Sequence, residues 1–370
     1  MDRHEQAYIS VRQFKILIIL GVIGDSIHIL PTVVVARAKH DSWLSMLLAL
    51  LLGLLAAGLF AAIANRLRGE SPIMVSRQRL GIWGGGVVGL LFLFEFFICS
   101  LGLLVELSEF MTTQLMPETP DLAFLLLFTA VIIIAYRYGI EAFARMSELL
   151  FPVFLVLFVF LTIAVAPEMD FSNMLPIAGK GVGPIVRGAL PAFVFGFTEM
   201  IVLLMLVPHV RSDTKLTKPI LSGFAYGGII LFIIMILCEA ALGTELMETK
   251  YYPIFVLGQK ISIGHFLERV EAVIAFLWII SVFFKTLLLF FALSRGIKQL
   301  FGLKESQMLT IPLGIILMVS SMISNPSTTE YNNIINRYYS WFDLTLCFLF
   351  PLGFLVILWI TDAWKTRKIT

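Results

Sequence analysis

Charged residues are scarce in this chain of 370 residues: they make up 14% of it, whereas hydrophobic residues make up 59%. A soluble domain contains about 25% charged residues. No hydrophilic stretch is long enough to fold alone, which excludes a soluble domain beside a membrane anchor. We therefore expect one integral membrane domain over residues 1–370, in contact with membrane lipid. The net charge of +2 offers no basis for a nucleic-acid partner.

Cysteine and catalytic motifs are also scarce. Cys99, Cys238 and Cys347 lie far apart in apolar segments, a pattern that argues against disulfides and has no metal-ligand spacing. The chain has no nucleotide-binding motif and no nucleophile beside a base. We therefore predict that the protein is not an enzyme and holds neither a cofactor nor a metal.

Long apolar runs, in contrast, are abundant. A membrane span needs about 17–25 mostly apolar residues, and ten segments qualify. The first is too long for the apolar core of a signal peptide, so it is predicted to be an uncleaved span. The ten predicted spans are Phe14–Ala36, Trp43–Ala64, Ile82–Leu115, Leu122–Tyr136, Ile140–Ala166, Pro184–Val207, Pro219–Leu242, Val270–Leu293, Met308–Ile323 and Ser340–Ile360.

The distribution of Lys and Arg predicts the orientation, because cytoplasmic segments carry an excess of both. With the N-terminus inside, the inner segments hold 18 of these 27 residues, the outer segments hold 8, and Lys285 lies within a span. Both termini are therefore expected on the cytoplasmic side. The outer stretch Tyr251–Glu268 is predicted to form short amphipathic helices, either as a lid or as a plain connector.

Two spans, half a chain apart, are interrupted in the same way. A helix broken inside a bilayer leaves backbone groups unpaired unless they line a cavity or meet a ligand. Paired breaks indicate a small-molecule site at the midplane of an inverted-repeat membrane protein. The interruptions are Gly21, Gly24, Asp25, Ser26, His28 and Pro31 in the first span, and Gly188, Pro191, Gly196, Thr198 and Glu199 in the sixth.

These breaks predict an all-α membrane protein with two inverted five-span repeats, near residues 12–166 and 184–361. The start of the second half of a broken helix carries partial positive charge, which suits a carboxylate. Aromatic walls beside polar atoms in the sixth span suit a small zwitterion, although two kinked helices without a ligand remain the alternative. The predicted ligand-binding residues are Gly21, Gly24, Asp25, Ser26, Ser100, Phe193, Phe195, Gly196, Thr198 and Glu199.

Ionisable residues inside a membrane span are expensive and usually functional. The third span places several on one helix face, which we expect to border the bundle interior as a polar wall or water path. Structural pairing is the alternative, most of all for the two outer glutamates. The residues on this face are Glu95, Cys99, Gly102, Glu106 and Glu109.

Lys285 is the most informative single charge, because it lies about 15 Å deeper along its helix than Arg295. With Glu95 it is predicted to form a buried charge network. We favour an internal ion pair of Lys285 with Asp25, Glu95 or Glu199, and a proton-coupling role is the alternative.

The polar residues of the two breaks have two interpretations each. Asp25 and Glu199 are predicted either to cap the half-helix that follows or to meet a ligand amine. His28 is predicted to take a hydrogen-bonded packing role, with titration near neutral pH as the alternative.

Several sequence motifs carry a resemblance to known families. The stretch Gly24–Pro31 is similar to the glycine-rich first-span motif of amino acid–polyamine–organocation transporters, with Asp25 in place of a small residue and His28 in place of an aromatic one. The whole chain resembles the B subunits of bacterial spore germinant receptors, a branch of that superfamily. The motifs are "ISVRQFKILIILGVIGDSIHILP" (Ile9–Pro31), "RLRGESP" (Arg66–Pro72), "LPAFVFGFTEM" (Leu190–Met200) and "WFDLTLCFLFPLGFLVI" (Trp341–Ile357).

This resemblance implies a nutrient-sensing subunit in the spore inner membrane, acting with an A subunit and a lipoprotein-like C subunit. The nutrient is expected to be an amino acid or a similar small molecule, bound at the two breaks. A proton-coupled amino acid transporter that uses the same pocket is the alternative.

Overall fold

A computed structural model describes residues 7–211, 215–260, 270–324 and 338–367. Within these ranges all regular secondary structure is helical. The one β-type backbone pairing is an isolated bridge between Ile9 and Val210. The principal helices are α1 (Val11–Ile23), α2 (Ser26–Ala38), α3 (Ser42–Leu67), α4 (Pro72–Phe110), α5 (Asp121–Arg137), α6 (Ile140–Val165), α7 (Val182–Phe197), α8 (Thr217–Thr249), α9 (Pro253–Lys260), α10 (Val270–Phe301) and α11 (Thr310–Ser324).

The last membrane segment consists of three consecutive helical pieces. They are α12 (Ser340–Asp343), a π-helical turn (Leu344–Leu349) and α13 (Phe350–Arg367), and together we call them the C-terminal helix. The π-helical turn inserts an extra residue per turn, a feature found mostly at functional sites.

Eight helical runs of the described residues are long and apolar enough to cross a membrane. The predicted first span consists of two short helices, α1 and α2, as the predicted break requires, and α2 runs on almost directly into α3. The predicted fourth span, α5, has 17 residues. The all-helical membrane architecture agrees with the prediction, while the count of ten spans and the inverted repeat remain predictions.

The third predicted span begins earlier than expected. Helical structure starts at Pro72 rather than at Ile82, after the N-cap Ser71, whose hydroxyl accepts a hydrogen bond from the backbone of Met74. Gly81 (φ 73°) then kinks the helix. An apolar run marks where the bilayer begins, but the cap marks where the helix begins.

The N-terminal segment is attached to the end of the sixth span. The Ile9 backbone N–H donates to the carbonyl of His209 (2.8 Å), and the Arg211 N–H donates to the carbonyl of Ile9 (3.0 Å). Ser10 then starts α1 through a reciprocal capping box with Gln13. The two broken segments are therefore joined at one end of the bundle.

The centre of the bundle consists of α1, α2 and α7, enclosed by α3, α8 and α10. The sixth span is almost entirely buried, whereas α6 and the C-terminal helix expose large apolar side chains such as Leu149, Val156 and Trp359. The inner helices carry the polar residues, and the outer helices present the apolar surface that lipid requires.

One short helix, α9, lies within the predicted outer stretch Tyr251–Glu268, and its apolar residues are buried against α8 and α10. Residues 261–269 lie outside the described ranges. The choice between a lid and a connector remains a prediction.

Candidate functional site

The first break lies at Gly24, where φ is +31° and α1 ends. A Cβ atom at this position would collide with the Lys285 side chain and would approach the Gly21 carbonyl to 3.0 Å. Both the backbone conformation and the close approach require glycine here. Gly21 packs just as tightly, since a Cβ there would meet Met200 Sδ at 2.6 Å.

The second break lies later in the sixth span than predicted. Pro191 and Gly196 are inside α7, which continues through Phe197. The backbone departs from helical geometry at Phe197 (φ −129°, ψ −40°), and a 3₁₀-helix then runs from Thr198 to Met205. The second half of this span is therefore not the α-helix that the sequence predicted, because its apolar pattern does not distinguish the two helix types.

Two serine hydroxyls donate hydrogen bonds to backbone carbonyls beside these breaks. Ser26 Oγ donates to the carbonyl of Phe195 (3.3 Å), which joins the first break to the second. Ser281 Oγ on α10 donates to the carbonyl of Gly24 (2.8 Å). These bonds supply donors where the regular i→i−4 ladder is interrupted. The Thr198 hydroxyl instead bonds within its own segment, to the carbonyl of Val194 (3.0 Å).

Lys285 lies between the two breaks and contacts both. Its ammonium group forms ion pairs with Asp25 and with Glu199, the latter at 2.5 Å from Oε2. All three side chains are buried, and we call them the lysine triad. The triad connects α2, the 3₁₀ segment and α10, so these three elements share one electrostatic contact.

The ion pairs of Lys285 agree with the favoured prediction, whereas the N-cap interpretation of Asp25 and the grouping of Glu95 with Lys285 do not. Asp25 occupies the N-cap position of α2, yet its side chain makes no capping hydrogen bond. Its carboxylate binds Lys285 instead, because an ammonium ion is a stronger partner than a backbone N–H in a dry interior. Glu95 does not join this pair, although the sequence grouped it with Lys285.

Glu95 belongs to a second cluster on the predicted face of α4. Its Oε1 atom accepts hydrogen bonds from the thiols of Cys99 (3.0 Å) and Cys347 (2.8 Å). Asp343 lies beside them, and one ligand atom each from Glu95, Cys99 and Asp343 lies within 4.8 Å of the others. We call these four residues the thiol–carboxylate cluster. Cys99 and Cys347, which lie far apart in the sequence, therefore lie close together in the fold.

The remaining residues of that α4 face are buried or half-buried, as predicted, with Glu106 and Glu109 inside the bundle. Ser100, which was predicted to contact a ligand, donates its hydroxyl to the carbonyl of Phe96 on its own helix (2.6 Å).

The aromatic residues before the second break pack against the C-terminal helix. Phe195 stacks on Tyr339 with ring centroids 5.1 Å apart, and Phe193 meets Phe348 edge to face at 5.3 Å. Gly196 has open surroundings, with Leu30 and Leu231 at ordinary contact distance from a built Cβ. The C-terminal helix, which contains Asp343, and Tyr339 directly before it therefore complete the site.

The contribution of the C-terminal helix was missed in the sequence analysis. The signal was available, because Asp343 is an acidic residue inside an apolar span and obeys the same rule that singled out Lys285.

His28 stands in an aromatic setting one turn beyond Asp25. Its ring stacks on Trp278 at 4.6 Å with an interplanar angle of 5°, and it also contacts Phe110 and Tyr252. Neither ring nitrogen has a hydrogen-bond partner among the described residues. The prediction of a hydrogen-bonded His28 was therefore wrong, and ring stacking holds it instead.

The chain shares its fold with solved structures that include a transporter. The chain superposes on MhsT in complex with L-phenylalanine with a TM-score of 0.67, covering 96% of this chain and 99% of that one at 14% identity. Mhp1, a nucleobase-cation-symport-1 family transporter, gives a TM-score of 0.66 over 93% of this chain and 76% of that one, at 16% identity. The protein is therefore an integral membrane protein that shares this transporter-like fold.

The family follows from the sequence itself. A family model described as "Spore germination protein" matches residues 8–329, so the chain belongs to the spore germination protein family. Spore germination protein KB of Bacillus subtilis is 27% identical over 98% of this chain and 97% of its own length. Spore germination protein XB of Bacillus anthracis is 26% identical over 95% and 97%. The resemblance noted from the motifs is therefore confirmed.

Proposed function

We propose that this protein is the nutrient-sensing subunit of a spore germinant receptor and binds an amino acid between its two helix breaks. The observation that carries the proposal is Lys285, which contacts the first break through Asp25 and the second through Glu199. A ligand that enters between the breaks must exchange contacts with this triad. The family membership supports a role in germination.

The chemistry of the triad matches the two ends of a zwitterion. A ligand carboxylate is attracted to the Lys285 ammonium and to the backbone N–H groups at the start of α2, which have no partner within the helix. A ligand ammonium competes with Lys285 for Asp25 or Glu199. Binding therefore redistributes the contacts that hold α2, the 3₁₀ segment and α10 together.

Signalling follows if the ligand prefers one arrangement of these three elements. A ligand shifts a conformational equilibrium only by its differential affinity for the two states. In this proposal the shift reaches germinant receptor A and C subunits through contacts in the spore inner membrane. In this proposal ten spans form two inverted repeats, near residues 12–166 and 184–361, with both termini on the core side.

A proton-coupled amino acid transporter is the second candidate. The solved structures with this fold include a complex with L-phenylalanine and a symport-family transporter. A fixed ammonium beside two carboxylates can also move protons through the site when the pairs separate. The buried Lys285 is the observation that favours this candidate.

One experiment separates the two. Sealed vesicles that contain only this protein are incubated with labelled amino acids and washed, and the retained label is counted before and after permeabilisation. A sensor retains about one ligand per protein, and that label survives permeabilisation. A transporter accumulates far more label than protein, and permeabilisation releases it. A protein that retains no amino acid in either condition contradicts both candidates.

A further inference from the structure

The thiol–carboxylate cluster contains donor atoms that the lysine triad does not use. Glu95 and Cys99 lie one turn apart on α4, while Asp343 and Cys347 lie one turn apart at the start of the C-terminal helix. One ligand atom each from Glu95, Cys99 and Asp343 lies within 4.8 Å of the others, and the Cys347 thiol lies 2.8 Å from Glu95 Oε1. All four side chains are buried, with exposed fractions of at most 3%.

Three carboxylate oxygens of this cluster have no hydrogen-bond donor among the described residues: Glu95 Oε2 and both Oδ atoms of Asp343. Asp343 also approaches Glu199, and these two carboxyl groups bond to each other only when one of them keeps its proton. Buried acceptors without a partner are costly. Three such oxygens in one cluster indicate that the cluster binds a cation that accepts their lone pairs.

We propose that Glu95, Cys99, Asp343 and Cys347 form a binding site for one divalent transition-metal ion of the zinc class. Two thiolates and two carboxylates make a four-coordinate donor set suited to Zn²⁺, which accepts both sulfur and oxygen ligands. Zn–S bonds of about 2.3 Å and Zn–O bonds of about 2.0 Å place tetrahedral sulfur and oxygen ligands about 3.5 Å apart. The thiols already lie 3.0 Å and 2.8 Å from Glu95 Oε1.

The binding step is balanced in charge. With both carboxylates ionised, each cysteine releases its thiol proton to water, so two protons leave as one Zn²⁺ enters and the net charge of the buried cluster does not change. The orphaned oxygens gain a partner in the same step. Calcium and magnesium fit poorly, because both select oxygen ligands in a larger coordination shell.

The bound ion joins α4 to the C-terminal helix immediately beside Glu199. It thereby holds in place the helix on which Phe193 and Phe195 rest. This metal site does not depend on whether the protein senses or transports amino acids.

The test measures metal bound by the full-length, tag-free protein in detergent. The protein is equilibrated with Zn²⁺, freed of excess by gel filtration, and analysed by elemental mass spectrometry. Wild type is expected to retain one Zn²⁺ per chain, and Cys99→Ser/Cys347→Ser is expected to retain none. Cys238→Ser is the matched control, because Cys238 is also buried in a helix but lies outside the cluster, and it is expected to behave as wild type.

Two further measurements keep the result interpretable if the double variant folds poorly. Replacement of Zn²⁺ by Co²⁺ is expected to give a thiolate-to-cobalt charge-transfer band in wild type. Asp343→Asn, which keeps both cysteines, is expected to weaken Zn²⁺ binding by more than about tenfold, the lower bound for losing even an outer partner of a metal ligand.

Three outcomes overturn the proposal. Wild type that retains no metal shows that protons alone satisfy the cluster. Equal retention by the double variant places the metal elsewhere. Thiol titration of the unfolded, unreduced chain that finds one free thiol instead of three shows a Cys99–Cys347 disulfide rather than a metal site.

Discussion

The lysine triad and the thiol–carboxylate cluster lie side by side, yet they balance their buried charges differently. In the triad, Lys285 is a cation that the chain itself supplies, and it faces both Asp25 and Glu199. Among the described residues, the only donors to Glu95 are two weakly polar thiols, and Asp343 has none beyond a proton shared with Glu199. The lysine triad therefore contains its own cation, whereas the thiol–carboxylate cluster has more hydrogen-bond acceptors than donors.

The largest expected effect comes from removing the cation of the triad. Lys285→Met leaves two buried carboxylates unpaired, and breaking a buried pair costs about 3–5 kcal/mol. We expect a marked fall in the unfolding temperature in detergent. Lys304→Met, at an exposed position, is the control and should change little.

The triple variant Lys285→Met/Asp25→Asn/Glu199→Gln sharpens this result, since it removes the charge partners together. It should recover much of the lost stability, because no uncompensated charge remains. If it is no more stable than Lys285→Met alone, the triad does not hold the bundle through its charges.

A smaller loss is expected from filling the space that lets Lys285 reach the first break. Gly24→Ala forces a side chain into a positive-φ position and against Lys285, a strain of about 1–3 kcal/mol. Gly196→Ala is the matched control, because its Cβ would meet only ordinary contacts at 3.5 Å or more. Thermal unfolding of the two variants should differ clearly; similar curves would contradict the assigned role of Gly24.

A still smaller loss of stability is expected from Ser281→Ala, which removes the hydrogen-bond donor to the Gly24 carbonyl. The loss should be about 1 kcal/mol, typical of one buried hydrogen bond. Ser321→Ala removes a hydroxyl that bonds within its own helix and serves as the comparison. Chemical denaturation of both variants measures the difference, and equal values would mean that the Gly24 carbonyl finds another donor.

The smallest effect, and one of opposite sign, is expected in the cluster. Asp343→Asn converts a surplus acceptor into a donor that can reach Glu199. In metal-free protein we expect unchanged stability or a gain on the order of 1 kcal/mol. A loss as large as that of Lys285→Met would remove the distinction between the two sites.

Much of this fold was predictable from its apolar runs, because a bilayer demands long apolar segments and allows few charges. Gly24 was predictable as a break, since polar residues follow it directly inside a span. Lys285 was recognisable by its depth, although which of three acidic partners it binds depends on helix packing that no local pattern encodes.

Other features depend on long-range contacts. The segment after Phe197 has a composition that would also suit an α-helix. Its 3₁₀ geometry therefore depends on the residues packed around it. Glu95 and Cys347 are 252 positions apart, and their meeting requires the C-terminal helix to lie against α4. Hydropathy does not reveal the start of α4 at Pro72, because the helix begins at the Ser71 cap, ahead of the apolar run.

The stacking of His28 on Trp278 has an optical consequence. The indole is buried, and the imidazole plane lies parallel to it at 4.6 Å, so the fluorescence of Trp278 senses any sliding of α2 along α10. Because His28 follows Asp25 by three positions on α2, a ligand that opens the first break disturbs this stack. Subtracting the emission of Trp278→Phe from that of wild type isolates the signal among the six tryptophans. Trp278 is thus an intrinsic fluorophore beside the first helix break, and it reports on that break without an attached dye.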